Sequence, residues 1–208
     1  MSQKLNSRCS QCRRAGVKLM LKGEKCLGPK CPLTKRNYPP GQHGPDQKRN
    51  KVSTFGKQLR EKQKARQTYG MMENQFAKYV AKASKMAGDS NQNLIMFLES
   101  RLDNVVFRAG FRQSRTAARQ VVCHGHITVN GVKTDIPSYQ VKNGDVISLY
   151  EISKKKNIFA DVTEVLAKVE PPMWLSVDAK SMTAKVLNVP TLDNPSFDTK
   201  IIIEFYSR

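Results

Sequence analysis

The 208-residue chain carries 36 Lys and Arg against 17 Asp and Glu, a formal charge of +19, and has 39% apolar and 7% aromatic residues. Residues 1–70 hold 18 basic residues and 3 acids, whereas residues 151–208 hold 8 of each. No apolar run approaches a membrane span, and no charged start leads into an apolar stretch with a cleavage site, so the sequence predicts a soluble, unsecreted protein of one or two domains whose partner is a polyanion, nucleic acid above all.

Four of the five cysteines come first in the chain, as Cys9-x2-Cys12 and Cys26-x4-Cys31. Two close pairs separated by a loop suit a structural site of four thiolates around one Zn2+, each pair turning both sulfurs towards the same ion. Gly16, Gly23 and Gly28 permit the turns, and Arg8, Arg13 and Lys25 favour thiolates. Residues 1–50 hold too few large apolar side chains for a core, so a metal clip would supply stability there. A disulfide pair is the alternative, disfavoured in a reducing compartment. A redox role lacks the flanking strand-then-helix pattern. Cys123 stands alone on an apolar helix face and reads as a small core residue.

Residues 32–52 read as loop, broken by Pro39-Pro40-Gly41 and Gly44-Pro45. Within this stretch Arg36, Lys48 and Arg49 supply charge, and Tyr38 and His43 can stack on bases or riboses. From Ser53 to Arg66 the pattern is helical and basic, with Lys57, Arg60 and Lys64 and only Glu61 interleaved, which suits a phosphate-contacting helix. Met72, Phe76, Val80, Ala83 and Ala87 predict an amphipathic helix over 71–87. Leu94, Leu98, Leu102, Val105 and Ala109 predict another, capped by Asn93 and stopped by Gly110. Ser114 caps a third, running to His124 and closed by Gly125. The period then changes to two. Ile127 to Lys133 around Asn130-Gly131 is a hairpin signal, and Asn143-Gly144-Asp145 turns the chain into Val146–Leu149. Beyond 150 the pattern predicts a helix near 158–168 and β-like segments at Trp174–Val177 and Ile201–Tyr206.

The third helix carries the strongest functional signal. Arg112, Arg115 and Arg119, spaced three and four apart, are expected on one face, with Ala118, Val121 and Val122 on another. His124, His126 and Asn130 follow. Such a cationic face beside a polar turn suits the sugar–phosphate surface of folded RNA. Acids such as Asp103 and Asp161 read as surface or capping groups.

The runs Arg101-Leu-Asp-Asn-Val-Val-Phe-Arg-Ala-Gly-Phe, Ser114-Arg-Thr-Ala-Ala-Arg-Gln-Val-Val and His124-Gly-His-Ile-Thr-Val-Asn-Gly resemble the S4 RNA-binding domain, as do Asp135-Ile-Pro-Ser-Tyr and Lys142-Asn-Gly-Asp-Val-Ile. Arg36-Asn-Tyr-Pro-Pro-Gly-Gln-His-Gly-Pro, Gln58-Leu-Arg-Glu-Lys-Gln-Lys and the ending Ile202-Ile-Glu-Phe-Tyr-Ser-Arg extend the resemblance to the bacterial-type small-subunit ribosomal protein S4 family, in its four-cysteine zinc-bearing version. This resemblance implies a cytoplasmic, non-enzymatic constituent of the small ribosomal subunit. Such a protein binds small-subunit rRNA at a 5′-domain junction early in assembly, touches neighbouring small-subunit proteins, lies near the mRNA entry path and contributes to translational accuracy. Some members repress their own mRNA. No membrane or small-molecule substrate is implied.

The expected fold is α+β. A zinc knuckle and basic loop occupy 1–52, and a helical and mixed body domain comprises 53–93 plus 151–208. A two-helix and twisted-hairpin RNA-binding domain is inserted at 94–150. An RNA-modifying enzyme carrying the same module needs a catalytic domain that the residues after 150 are too few to form. A zinc-finger DNA regulator needs a recognition helix and a two-histidine pattern, both absent.

Overall fold

The computed structural model describes residues 7–45, 52–192 and 195–207. They divide into two compact units, one within 1–82 and 194–208, the other within 83–193.

The first unit opens with three short helices, α1 (Arg8–Ala15), α2 (Glu24–Leu27) and α3 (Pro32–Lys35). Gly16 ends α1 in the left-handed region, its N–H on the Cys12 carbonyl. A proline starts α3, within the stretch expected to be loop, because its fixed φ suits the first helical turn. Cys12, Leu19 and Leu21 form a small buried cluster. In α4 (Thr54–Thr68), Ser53 caps the start by accepting the Gly56 N–H at 3.2 Å.

Gln58, Lys62, Ala65 and Thr68 make the buried stripe of α4, which packs against α11 (Thr199–Tyr206). α11 was expected as a strand. Its Ile201-Ile202-Ile203 run is β-branched, but Asp198 accepts the Lys200 and Ile201 N–H groups as an N-cap, and Ile202 is fully buried. Capping and one-sided burial outweigh the weak β propensity. Buried Lys62 donates to Glu73 at 2.7 Å, on α5 (Glu73–Lys85), and lies 4.9 Å from the Phe205 ring centroid. Tyr206 donates to the same carboxylate at 2.6 Å. Partial burial opposes the Glu73 charge, yet Lys62, Tyr206 and Arg66 together hold its carboxyl below the ordinary range. Burial and the bond to Glu73 push the Tyr206 hydroxyl up.

In the second unit, α6 (Ser90–Glu99) leads into α7 (Leu102–Arg108), and α7 and α8 (Arg115–Cys123) share one core with a five-stranded antiparallel sheet of order β2-β1-β3-β5-β4. The strands are β1 (Ile127–Val129), β2 (Val132–Lys133), β3 (Val146–Leu149), β4 (Leu175–Asp178) and β5 (Thr183–Val186). The single helix expected from Leu94 to Ala109 is two. Its apolar phase is continuous, but Ser100 and Arg101 leave the helix to pair with the 137–141 loop. Leu102 N–H bonds Tyr139 O, Asp103 N–H bonds Pro137 O, and Val141 N–H bonds Ser100 O. Asp89 caps α6, accepting the Asn91 N–H. Asn93, the expected cap, instead donates to the Met86 and Ala87 carbonyls.

The Asn130-Gly131 hairpin has φ of 51° and 81°, as a type I′ turn requires. α9 (Glu151–Lys154), a 3-10 turn (Asn157–Phe159) and α10 (Val162–Lys168) follow the third strand. The expected boundary at 150 is not where the chain divides. β5 pairs with β3 through Ile147↔Ala184, and Phe159, Val162, Leu166, Trp174 and Leu175 share one core with Leu102, Val105, Val122 and Ile127. Residues 151–192 therefore complete the sheet and core of the module, and only the terminal helix belongs with the first unit. An isolated β1–β2–β3 set could not bury its own apolar face.

Candidate nucleic-acid interface

Ser114 positions the site by capping α8, its Oγ accepting the Ala117 N–H at 3.3 Å. Ala118, Val121 and Val122 face the core, and Arg115 and Arg119, four residues apart, lie along the edge of that stripe. There they meet α7. Arg115 Nε donates to Asn104 Oδ1 at 2.8 Å, and its guanidinium lies 4.5 Å from the Phe107 ring centroid. Arg119, 42% exposed, donates from Nη1 to Asp103 Oδ2 at 3.3 Å. Beneath them Asp103 accepts both Nε and Nη2 of the fully buried Arg101, at 3.0 and 2.7 Å. Fully buried Glu99 accepts two bonds from Arg108, at 2.9 and 3.0 Å. Asp103 is thus a buried member of an ion-pair network rather than a surface or capping group.

Arg112 does not share that face. It lies before the N-cap, off the helix, with its guanidinium 4.7 Å from the Phe159 ring centroid. Burial pushes its acid strength up, lowering the pKa from its ordinary value. His126 meets the same ring at 5.5 Å, and its Nδ1 is 2.8 Å from Ser153 Oγ. Burial first, then the charges of Lys156, His124, Arg112 and Lys133, hold its imidazole below the ordinary range. Arg112, Lys133 and Lys156, from three segments of the chain, thus lie near His126. Lys133 and Lys156 were not singled out from sequence, although the Lys154-Lys-Lys run was a signal. His124 is exposed, its ring 6.0 Å from that of His126. Lys133 also crosses Gly125, where φ is +67° and an added Cβ would come within 2.4 Å of the lysine Cε.

Asn130, expected to touch RNA, has its side chain engaged. Nδ2 donates to Asp145 at 2.8 Å, and Oδ1 accepts the Val146 N–H at 2.9 Å, so it ties the hairpin to β3.

In the first unit Lys57 and Arg60 are exposed on α4, while Lys64 is paired with Glu61 at 2.6 Å. Arg36 and His43 are exposed. Tyr38 is half-buried beneath Arg13, whose guanidinium is 4.6 Å from the ring and donates to the Tyr38 and Pro39 carbonyls. Lys48 and Arg49 lie outside the described residues.

Cys9, Cys12, Cys26 and Cys31 line one pocket with Lys22, Lys25 and Leu33. All are free thiols, and the Lys22 N–H donates to Cys26 Sγ at 3.3 Å. Burial pushes the Cys12 thiol up, against a backbone bond from Leu19 that lowers it. Among the described residues, no group of three or more His, Cys, Asp or Glu side chains is gathered closely enough to hold a metal ion. Cys123 is exposed, not a core residue, because the apolar face of α8 is carried by Ala118, Val121 and Val122.

A small α+β module that presents ordered arginines and clustered cations belongs to the class of RNA-binding proteins. The family described as ribosomal protein S4/S9 N-terminal domain matches residues 3–99, and the S4 domain matches 100–147. The chain is 48% identical over 210 positions to small ribosomal subunit protein uS4 of Clostridioides difficile, covering all of both chains. It is 48% identical over 202 positions to the protein of the same name from Heliobacterium modesticaldum, covering 96% of each. To that of Caldicellulosiruptor bescii it is 47% identical over 210 positions, again over the whole of both. The chain belongs to the ribosomal protein S4 family. Among the described residues, no helix is long and apolar enough to cross a membrane.

Proposed function

We infer that this chain is an rRNA-binding structural constituent of the small ribosomal subunit, working in the cytoplasm within that particle. The observation that carries the reading is the α8 face, where Arg115 and Arg119 stand oriented on buried partners in a family whose relatives are named as small-subunit proteins. Membership supports the finer roles as well: binding a 5′-domain junction early in assembly, touching neighbouring small-subunit proteins, lying near the mRNA entry path and contributing to accuracy. The protein is not an enzyme and takes no small-molecule substrate. Its contacts are those of Arg36, Tyr38, His43, Lys57, Arg60, Arg112, Arg115, Arg119, His124 and His126, with Lys48 and Arg49. Ser114, Lys64 and Asn130 support the fold around them.

Binding is driven by phosphate neutralisation, with RNA shape giving selectivity. If about eight phosphates are neutralised, log affinity for purified small-subunit rRNA falls with log salt at a slope of about −5 to −7. A nearly flat response would contradict this mechanism.

The four thiols are also proposed to hold one structural Zn2+. The donor chemistry fits once the sulfurs draw closer than they stand here: thiolates are ligands that zinc takes, the four cysteines line one pocket, and a backbone N–H points at Cys26 Sγ. The bound ion would supply cross-linking stability to a segment with few large apolar side chains of its own. Elemental analysis of the purified protein should find about one zinc per chain. None, with the thiols intact, would refute the assignment.

A further inference from the structure

The buried Phe159 ring seats two side chains, the Arg112 guanidinium at 4.7 Å and the His126 imidazole at 5.5 Å from its centroid. The imidazole is fixed a second time by buried Ser153, whose Oγ lies 2.8 Å from Nδ1. A hydroxyl can donate or accept, so this bond survives a change in the protonation of the ring, and Nε2 is the atom left to meet an outside oxygen. Lys133 of β2 lies over Gly125, the residue between the two histidines, with its Nζ 5.5 Å from the Tyr150 ring centroid. Lys156, just after α9, and His124, at the end of α8, also act on His126. Arg112 is half-buried, Lys133 and Lys156 are exposed, and among the described residues none of the three is in an ion pair. The acid of α9, Glu151, is paired with Lys154 at 2.8 Å. Burial first, then Lys156, His124, Arg112 and Lys133, disfavour a proton on His126. A phosphate oxygen brought to this cluster offsets that repulsion and accepts charge-assisted hydrogen bonds from it.

We propose that Arg112, His126, Lys133 and Lys156 form a binding site for one backbone phosphate of the rRNA, and that filling the site protonates His126. This rests on the reading of the chain as an rRNA-binding protein, and it adds Lys133 and Lys156 to the contacts of that reading. The sign of the coupling follows. Free His126 gives up its proton at a lower pH than an ordinary histidine, and the bound phosphate moves that point back up. Binding therefore takes up a proton, and affinity rises as pH falls through the interval between the bound and free values.

The full-length protein is titrated with purified small-subunit rRNA across salt and pH series as wild type, His126→Gln, Lys133→Gln/Lys156→Gln and Lys180→Gln, each checked for its melting temperature. His126→Asn replaces His126→Gln if the latter melts low. Lys180 is exposed on the turn between β4 and β5, at the opposite edge of the sheet from β2, and its variant controls for loss of charge alone. The double lysine variant is expected to bind about tenfold more weakly at pH 7, with a salt slope reduced by about 0.7–0.9, the value of one phosphate contact. Between pH 7.5 and 5.5 the wild-type affinity should rise about three- to tenfold more than that of the His126 variant, which keeps the part due to other histidines. Wild-type affinity and slope in the double lysine variant, or an equal loss in Lys180→Gln, overturn the site. A pH response unchanged by the His126 substitution overturns the proton coupling. A wild-type protein that fails to bind the rRNA at all overturns the rRNA-binding reading itself, and this inference with it.

Discussion

Asp103→Ala is expected to cost about 3–5 kcal/mol of folding stability in the 83–193 unit, the penalty for removing the carboxylate that is paired with a buried guanidinium. Asp103 is 4% exposed and holds Arg101, which is fully buried, through two parallel bonds. Alanine removes the carboxylate and leaves a guanidinium that cannot reach water. Arg101 sits at the break between α6 and α7, where its residue also bridges to Gln140, so the loss falls on the joint that orients both helices. Chemical denaturation followed by circular dichroism reads the effect. A loss under about 1 kcal/mol, the usual size for an exposed pair, would mean that Arg101 is solvated and the network superficial.

The second large effect is on binding. Arg115→Ala with Arg119→Ala should weaken rRNA affinity by about 2–4 kcal/mol, one charged contact for each arginine. The fold tolerates this change better than the loss of Asp103. Asp103 keeps its two bonds from Arg101, and Asn104 keeps its bonds to Glu99. A filter-binding assay on a double variant with a near-native melting curve separates the two effects. Unchanged affinity would reject α8 as the contact face.

Much of the site follows from short-range patterns. Ser114 three residues before Ala117 and Asn130-Gly131 between alternating apolar residues each specify a local backbone bond or turn, and each forms as expected. What failed was whatever depends on a distant partner. Leu94 to Ala109 keeps a helical phase throughout, and the break at Ser100–Arg101 is imposed by the 137–141 loop, some forty residues away. The α8 arginines read as an uncompensated face when set against their own helix alone, whereas Asp103 of α7, expected as a surface or capping group, is buried and bonds Arg119. Ile201–Ile203 carried a strand propensity that the Asp198 cap and the burial of Ile202 override. The neutral tail reads whole as part of the body domain because a three-strand hairpin set looks complete in sequence, whereas Trp174, Leu175 and Ala184 share the core of that set.

The charge asymmetry takes a clearer form on this structure. In the first unit Lys62 and Arg13 are spent on internal contacts, while Lys57, Arg60 and Arg36 stand exposed. The excess that faces a polyanion is therefore smaller and more sharply placed than the composition suggests.

The central claim is tested most directly by crosslinking the protein to total cellular RNA and mapping the sites at nucleotide resolution. Crosslinks concentrated at one junction of the small-subunit rRNA, and lost in the Arg115→Ala/Arg119→Ala variant, are the predicted result. Crosslinks spread over cellular RNA in proportion to abundance, and unaffected by that variant, would contradict it.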